Sequence, residues 1–191
     1  MHTSLAPWEE SVKTSQEEAR LFLEAALPQQ LPKDVHLVVW VRQTKATIRC
    51  RSIEQVLAAL KNNEHQDVYI GNLVNSAAKG RGKADEVDYL IGFKVDADYN
   101  DGIHKDTAHL PPTAEEAARS LTEAAPLPFS ALIYTGGGVQ AWWFFDALVD
   151  VRESDLRNYV ARLAVRFEDL VKSRYAYKLD SVCLLYTSPS P

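Results

Sequence analysis

The strongest constraint on the fold is a run of mainly apolar residues, 89–95, which ends in Asp96 and Asp98. Such a run predicts a central strand. Because a strand alternates its side chains between two faces, Asp96 and Asp98 point to one side and Ala97 to the other. Two carboxylates on one edge repel each other unless a cation lies between them. The pattern therefore predicts a divalent-metal site at the strand end, with an aspartate-rich turn that binds no ligand as the alternative.

A second pattern lies between two predicted strands, 129–134 and 139–145, and reads Thr135-Gly136-Gly137-Gly138-Val139-Gln140. A two-residue hairpin turn needs at most two positive φ angles, so three glycines exceed its requirement. Glycines also let backbone N–H groups approach a phosphate without a side chain in the way. We therefore predict a phosphate-binding turn, with a simple flexible hairpin as the alternative. Together the two patterns suggest a metal-dependent enzyme that acts on a nucleoside triphosphate.

Periodicity predicts the remaining elements. Capping patterns and helical spacing indicate helices over residues 14–27, 52–60, 113–125 and 154–172. Apolar runs indicate further strands over residues 35–41, 46–50, 68–73 and 175–179. We expect the last helix to pack through Leu156, Val160, Leu163, Phe167, Leu170 and Val171. Because strands and helices do not alternate strictly, the order predicts the α+β class.

Composition limits the class of protein. With 191 residues, 46% of them hydrophobic and 25% charged, the chain can form one domain with a real core and differs from disordered acidic chains. The net charge of −5 argues against nonspecific coating of nucleic acid. Two cysteines exclude a disulfide framework and a zinc cluster, and no apolar run reaches the length of a membrane span. We therefore expect a cytoplasmic protein with no membrane partner.

Two basic clusters contrast with this acidic balance. One lies in a glycine-containing loop that leads to the Asp96 strand, and we expect it to contact phosphates; it consists of Lys79, Arg81 and Lys83. The other lies earlier in the chain, with solvated surface charge as its alternative interpretation; it consists of Arg42, Lys45, Arg49 and Arg51.

The end of the chain has a different character. Residues 184–191, Leu-Leu-Tyr-Thr-Ser-Pro-Ser-Pro, show no periodicity and look like translated sequencing-adapter DNA. We therefore expect the native sequence to stop near residue 183. On this interpretation residues 1–183 are a single catalytic domain truncated at its C-terminus, and residues 184–191 are a non-native tail.

The order of these patterns, over residues 35–182, resembles the archaeo-eukaryotic primase superfamily, especially the primase-polymerase domains of plasmid and phage replication proteins. The family's first motif, a hydrophobic residue followed by Asp-x-Asp/Glu, is matched by Val95-Asp96-Ala97-Asp98. Its second motif follows a Ser-Gly-Gly-Gly-type turn and ends in a histidine that contacts the nucleotide; here Thr135 replaces the serine and Gln140 the histidine. Its third motif, a hydrophobic residue and an acid after a long helix, corresponds to Leu179-Asp180.

The resemblance implies a primase-like core, in which helices flank an RRM-like mixed or antiparallel sheet, and template-directed nucleotidyl transfer as its reaction. It implies that two Mg²⁺ or Mn²⁺ ions bind to Asp96, Asp98 and Asp180. The triphosphate of an NTP or dNTP would contact Thr135, Gly136, Gly137, Gly138 and Gln140. The template or triphosphate would also contact Lys79, Arg81 and Lys83. DNA template and primer are the implied partners, with a helicase domain in the full-length protein.

The chain departs from the family at two points. Gln140 carries no charge, so triphosphate binding or the rate is expected to be weaker than with histidine. The arginine-rich segment ending in Pro-Gly-Thr that follows the third motif in the family is missing from this sequence. Two other functions stay open. An Asp-x-Asp glycosyltransferase would bind a nucleotide-sugar through Mn²⁺, usually on a parallel sheet, whereas a catalytically weak nucleic-acid-binding relative would account for Gln140.

Overall fold

The structure, a computed structural model, describes residues 16–100 and 108–179. The described residues form four α-helices and six strands, in the order α1 (Gln16–Ala26), β1 (Val35–Val41), β2 (Thr47–Cys50), α2 (Ile53–Asn62), β3 (Val68–Asn75), β4 (Val87–Asp98), α3 (Ala114–Ala124), β5 (Ala131–Tyr134), β6 (Gly138–Asp150) and α4 (Ser154–Lys172). A short 3₁₀ helix, Ala84–Glu86, precedes β4. The α+β class predicted from the order of elements is confirmed.

The strands form one sheet in the order β2-β1-β3-β4-β6-β5, and each neighbouring pair is antiparallel. The ends of β1 and β4 and the starts of β3 and β6 therefore lie side by side where the strands terminate. We call this border of the sheet, formed by strand ends, the Asp98 edge. Among the described residues, β3 pairs with β4 only at Leu73 with Tyr89 and at Val74 with Val87. The second half of β4, which carries the aspartates, is thus aligned by β6.

Helix starts follow the predicted capping patterns. The Ser52 hydroxyl accepts the N–H of Gln55 at 3.3 Å, and the Thr113 hydroxyl accepts the N–H of Glu116 at 3.2 Å. Each contact satisfies a backbone donor that the first helical turn leaves unpaired. No helix in the described ranges combines the length and the apolar character needed to cross a membrane.

The sheet has a hydrophobic core on each face. One core includes Val95, Ala97 and Trp143 together with residues of α3 and α4. The other includes Leu37 and Trp142 together with residues of α1 and α2. We call these the α3/α4 face and the α1/α2 face. Because adjacent strand residues alternate, consecutive side chains of β4 and β6 enter different cores.

The predicted strand over residues 175–179 was wrong. In the described structure this segment forms turns and irregular backbone. Tyr175 and Leu179 are buried in the α3/α4 core, and the N–H of Lys178 donates to the carbonyl of His109 at 2.9 Å. Two inward-facing side chains, this bond and a hydrogen bond from the Tyr177 hydroxyl to the Glu116 carboxylate at 3.0 Å hold the segment without a strand ladder.

The predicted apolar face of α4 was also wrong in part. The helix buries Val160, Ala164 and Val171, whereas the larger side chains Leu156, Leu163 and Leu170 are exposed. The buried residues, spaced four and seven apart, form one helical stripe, and the three leucines lie at its border.

Candidate active site

Asp96 and Asp98 lie on β4 at the Asp98 edge, on the α1/α2 face, because the alternating residue Ala97 enters the α3/α4 core. In the antiparallel pair, Asp96 lies opposite Gln140 and Asp98 opposite Gly138. Directly opposed residues place their Cβ atoms about 4.5–5.5 Å apart, so the Asp96 and Gln140 side chains are neighbours. The structure thus brings together residues of the first and second predicted motifs.

A third charged side chain, Lys94, lies on the same strand face. Its Nζ is 3.4 Å from Oδ2 of Asp96 and 5.6 Å from the ring centroid of Trp142. The Lys94 and Asp96 side chains are 12% and 28% exposed, so the attraction between them is screened less than at the open surface. The sequence analysis missed Lys94. The available signal was its position two residues before Asp96, which puts both side chains on one side of a strand.

The glycine turn is a tight hairpin. The N–H of Thr135 donates to the carbonyl of Gly138 at 2.9 Å, and its hydroxyl donates to the same oxygen at 3.0 Å. The loop between these residues is therefore Gly136-Gly137. Gly136 has a φ of 93°, in the left-handed region that favours glycine. A positive φ at the first central residue is typical of a type II′ turn, so the hairpin alternative accounts for this glycine.

Gly138 is needed for a different reason. A Cβ at this position would lie 2.9 Å from Oδ1 of Asp98 and 3.1 Å from the carbonyl oxygen of Ala97. These separations are too short for ordinary contact, so a side chain would displace the Asp98 carboxylate. The third glycine of the turn therefore leaves room for the second aspartate of the first motif, a relation that sequence reasoning did not identify.

Tyr99 connects the end of β4 to the glycine turn. Its N–H donates to the carbonyl of Gly137 at 3.2 Å, and its hydroxyl donates to the carbonyl of Gly136. Because C=O and N–H of one trans peptide point in opposite directions, the N–H of Gly137 points away from Tyr99. This N–H donates to none of the described backbone carbonyls. The turn thus has an N–H donor that is directed away from Tyr99.

Asp180, the predicted third metal ligand, lies outside the described residues. The chain that precedes it is described and runs past the Asp98 edge. The N–H of Asn100, just after β4, donates to the carbonyl of Pro111 at 2.8 Å, and the N–H of Lys178 donates to the carbonyl of His109 at 2.9 Å. The segment before Asp180 and the segment after Asp98 therefore share one neighbouring loop.

Tyr175 gives an independent indication of this proximity. Its hydroxyl is buried, and burial raises the pKa of the phenol above its ordinary value. Tyr177, as a phenolate at high pH, and the carboxylates of Glu116 and Asp98 raise the pKa further. Tyr175 therefore lies within electrostatic range of the first motif.

The structure does not place Arg81 of the predicted basic loop beside the aspartates. The guanidinium of Arg81 lies 4.4 Å from the ring centroid of Trp40. Trp40 follows Val39, which enters the α1/α2 core, so the Trp40 side chain is on the α3/α4 face. Arg81 is thus on the opposite face of the sheet from Asp96, and the structure does not bring it to Gln140. Lys79 and Lys83 are exposed residues of the same loop.

The site supplies hard oxygen ligands. Two carboxylates, Asp96 and Asp98, and the side-chain carbonyl of Gln140 are the donor types that Mg²⁺ and Mn²⁺ prefer, and Gly138 leaves room for the Asp98 carboxylate. Among the described residues no group of three or more acidic, histidine or cysteine side chains is placed to bind a metal. A divalent site here would therefore need a further ligand, for which Asp180 is the prediction.

Comparison with known proteins finds no family model, no curated protein and no solved structure that matches this chain. The resemblance to the primase superfamily therefore depends on the sequence motifs.

Proposed function

We propose that this protein transfers nucleotides from NTPs or dNTPs to a primer on a DNA template, as the primase-polymerases of plasmid and phage replication do. The observation that most supports this function is the β4–β6 register, which sets Asp96 opposite Gln140 and Asp98 opposite Gly138. A pair of carboxylates that could hold divalent ions thereby lies next to the glycine turn. Two-metal nucleotidyl transfer needs such carboxylates, because the ions they hold stabilise the attacking and the leaving oxygens.

Asp96 and Asp98, with Asp180 as a third ligand, would hold two Mg²⁺ or Mn²⁺ ions. When bound, such ions lower the pKa of the attacking 3′-hydroxyl and neutralise charge on the triphosphate. The chain itself must hold the carboxylates in position. Val95 and Ala97 are fully buried on the opposite face of the same strand, so the backbone beneath both aspartates is anchored by packing.

Gln140 and Lys94 would contact the triphosphate. The Gln140 amide can donate a hydrogen bond to a phosphate oxygen, but it contributes no charge. Lys94 supplies a positive charge on the same face, where its ammonium pairs with Asp96. Because the lysine side chain is long and flexible, it can exchange the carboxylate for a phosphate once cations occupy the aspartates.

The direction of the strands is relevant to the two alternative functions. An Asp-x-Asp glycosyltransferase usually binds its nucleotide-sugar on a parallel sheet, and each strand pair described here is antiparallel. A catalytically weak nucleic-acid-binding relative would share the fold and differ in activity, and Gln140 is the residue that favours it.

Calorimetric titration with dATP and with UDP-glucose, each with Mn²⁺, tests the proposal. We expect Mn²⁺-dependent binding of dATP that Asp96→Ala/Asp98→Ala abolishes, and no binding of UDP-glucose. The matched control is Asp146→Ala/Asp169→Ala, which removes two exposed carboxylates elsewhere and should leave dATP binding unchanged. A preference for UDP-glucose would support the glycosyltransferase. Binding of neither ligand by the folded chain would contradict the proposal.

A further inference from the structure

An aromatic pair lies on the α3/α4 face of β1 and β3, near the Asp98 edge. Trp40 and Tyr69 are directly opposed across these strands, and their ring centroids are 5.3 Å apart. Trp40 is 7% exposed, whereas Tyr69 is 40% exposed. The buried indole supports the phenol ring, which presents apolar surface to solvent on a rigid strand.

Cations surround this pair. The Arg81 guanidinium lies 4.4 Å and the Lys45 ammonium 5.3 Å from the Trp40 ring centroid. Arg49 faces the same side from β2 and donates to the carbonyl of Ser76 at 3.4 Å, which fixes the loop that carries Arg81. Between described residues, no carboxylate lies within ion-pair distance of Lys45 or Arg49. We call the group Trp40, Tyr69, Lys45, Arg49 and Arg81 the Trp40–Tyr69 surface.

A histidine on the same face lies near two arginines, one on β2 and one directly after it. His36 lies on β1, on the same face as Trp40, and burial lowers the pKa of its imidazole. The positive charges of Arg51 and Arg49 lower that pKa further. Although the whole chain has a net charge of −5, the cations Lys45, Arg49 and Arg81 gather on this face, and a polyanion is the complementary partner.

We propose that the Trp40–Tyr69 surface binds single-stranded nucleic acid, with a base stacked on Tyr69 and phosphates in contact with Lys45 and Arg81. An exposed aromatic ring bordered by cations is the combination that binds single strands, because every base has a π-face and every linkage a charge. Paired bases present no face to the ring. The surface lies on the opposite side of the sheet from Asp96, so this binding requires neither metal nor the proposed catalytic site.

Fluorescence anisotropy with a short labelled mixed-sequence oligonucleotide tests the stacking contact. We expect Tyr69→Ala to weaken binding roughly 5- to 150-fold, the range for loss of one stacked base, and Tyr69→Phe to retain it. The matched control is Tyr159→Ala, because Tyr159 is an equally large, 57% exposed residue on α4. It should leave the affinity unchanged.

The salt dependence of binding tests the phosphate contacts. Lys45→Asn/Arg81→Gln should reduce the slope of log K against log salt by about 1.4, or about 0.7 for each lost contact. Asparagine is chosen at position 45 because Lys45 has a φ of 58°. The control, Arg162→Gln/Arg166→Gln, removes two exposed charges from α4 and should leave the slope unchanged.

Three outcomes would overturn this inference. The first is an oligonucleotide affinity that Tyr69→Ala leaves unchanged, and the second is an equal change of the salt-dependence slope in the double variant at 45 and 81 and in its control. The third is tighter binding of duplex than of single strands. Circular dichroism confirms that each variant is folded. Asp96→Asn/Asp98→Asn should bind the oligonucleotide normally while losing Mn²⁺-dependent dATP binding, so the two proposals fail separately.

Discussion

The β4–β6 strand pair carries aspartates near both ends, and Asp150 at one end is held differently from Asp96 at the other. Near one end, Asp150 lies opposite Tyr89 and accepts hydrogen bonds from Arg152, whose Nε is 2.8 Å from Oδ1. At the other end, Asp96 lies opposite Gln140, and its ion pair within the described chain is with Lys94 at 3.4 Å.

The number of donors around each carboxylate explains the difference. Hydrogen bonds from the Arg152 side chain, its backbone N–H and its positive charge lower the pKa of Asp150 to about 2. A carboxylate engaged in this way has few lone pairs left for another ligand. Among the described residues, the ion pair of Asp96 is one longer contact, with the flexible ammonium of Lys94. The same residue type on one strand pair is thus structural at one end and available to a ligand at the other.

Exchanging each aspartate for asparagine should give opposite results. If the proposed function is correct, we expect Asp96→Asn to lower the rate of primer extension roughly a thousandfold or more, or about 4 kcal/mol, because it removes a metal ligand. Its thermal stability should stay close to that of the unsubstituted chain. Asp150→Asn is the matched control and should retain extension while losing some stability. Unchanged primer extension in Asp96→Asn would contradict the inference that Asp96, unlike Asp150, is available to a ligand.

Gly138→Ala should test the contact between the two motifs. The new Cβ would displace the Asp98 carboxylate, and we expect Mn²⁺-dependent dATP affinity to fall about tenfold, or about 1.4 kcal/mol. Gly136→Ala is the control, since a Cβ there meets open space but strains a φ of 93°. That variant should lose about 1 kcal/mol of unfolding free energy in urea, and its dATP affinity should fall less than that of Gly138→Ala because the Asp98 carboxylate is not displaced. Equal affinities for both variants would show that Gly138 serves only the turn.

Gln140→His tests whether the residue opposite Asp96 contacts the triphosphate. Opposite Asp96, an imidazolium would add a charge-assisted hydrogen bond to the triphosphate, and we expect dATP to bind about three- to tenfold more tightly. The gain should be larger at pH 6 than at pH 8, because imidazole loses its charge over that interval. Gln140→Ala measures what the amide contributes. A gain independent of pH would argue against contact with a phosphate.

Much of the fold followed from local patterns. The strand carrying Asp96, the caps at Ser52 and Thr113, and helix α4 were predicted because alternation, capping and helical spacing act within a few residues. The two motifs were found for the same reason, since each lies in one short segment. Which residues of these segments lie opposite each other depends on contacts between parts of the chain that are distant in sequence.

The β4–β6 register could not be derived, because it depends on packing between distant segments. At Gly92 the strands approach so closely that a Cβ would overlap the Trp143 carbonyl, and the register shifts beside this contact. Without the register, Gln140 could not be recognised as the residue opposite Asp96. The Trp40–Tyr69 pairing was hidden for the same reason, because the two residues meet across β1 and β3.

Arg152→Gln addresses the structural end of the pair and should give the smallest effect of the four substitutions. Because the folded pKa of Asp150 is about 2, below its ordinary value of 3.8, the ion pair stabilises the fold above about pH 4 and loses this effect as the pH falls towards 2. The two side chains are 56% and 43% exposed, so solvent screens the interaction. Urea unfolding should therefore show a small loss of stability at pH 5–7 that shrinks as the pH approaches 3, whereas Arg174→Gln, at another exposed arginine, should change little. A loss that persists at low pH would instead assign the role of Arg152 to its contact with the Tyr89 ring, 5.2 Å away.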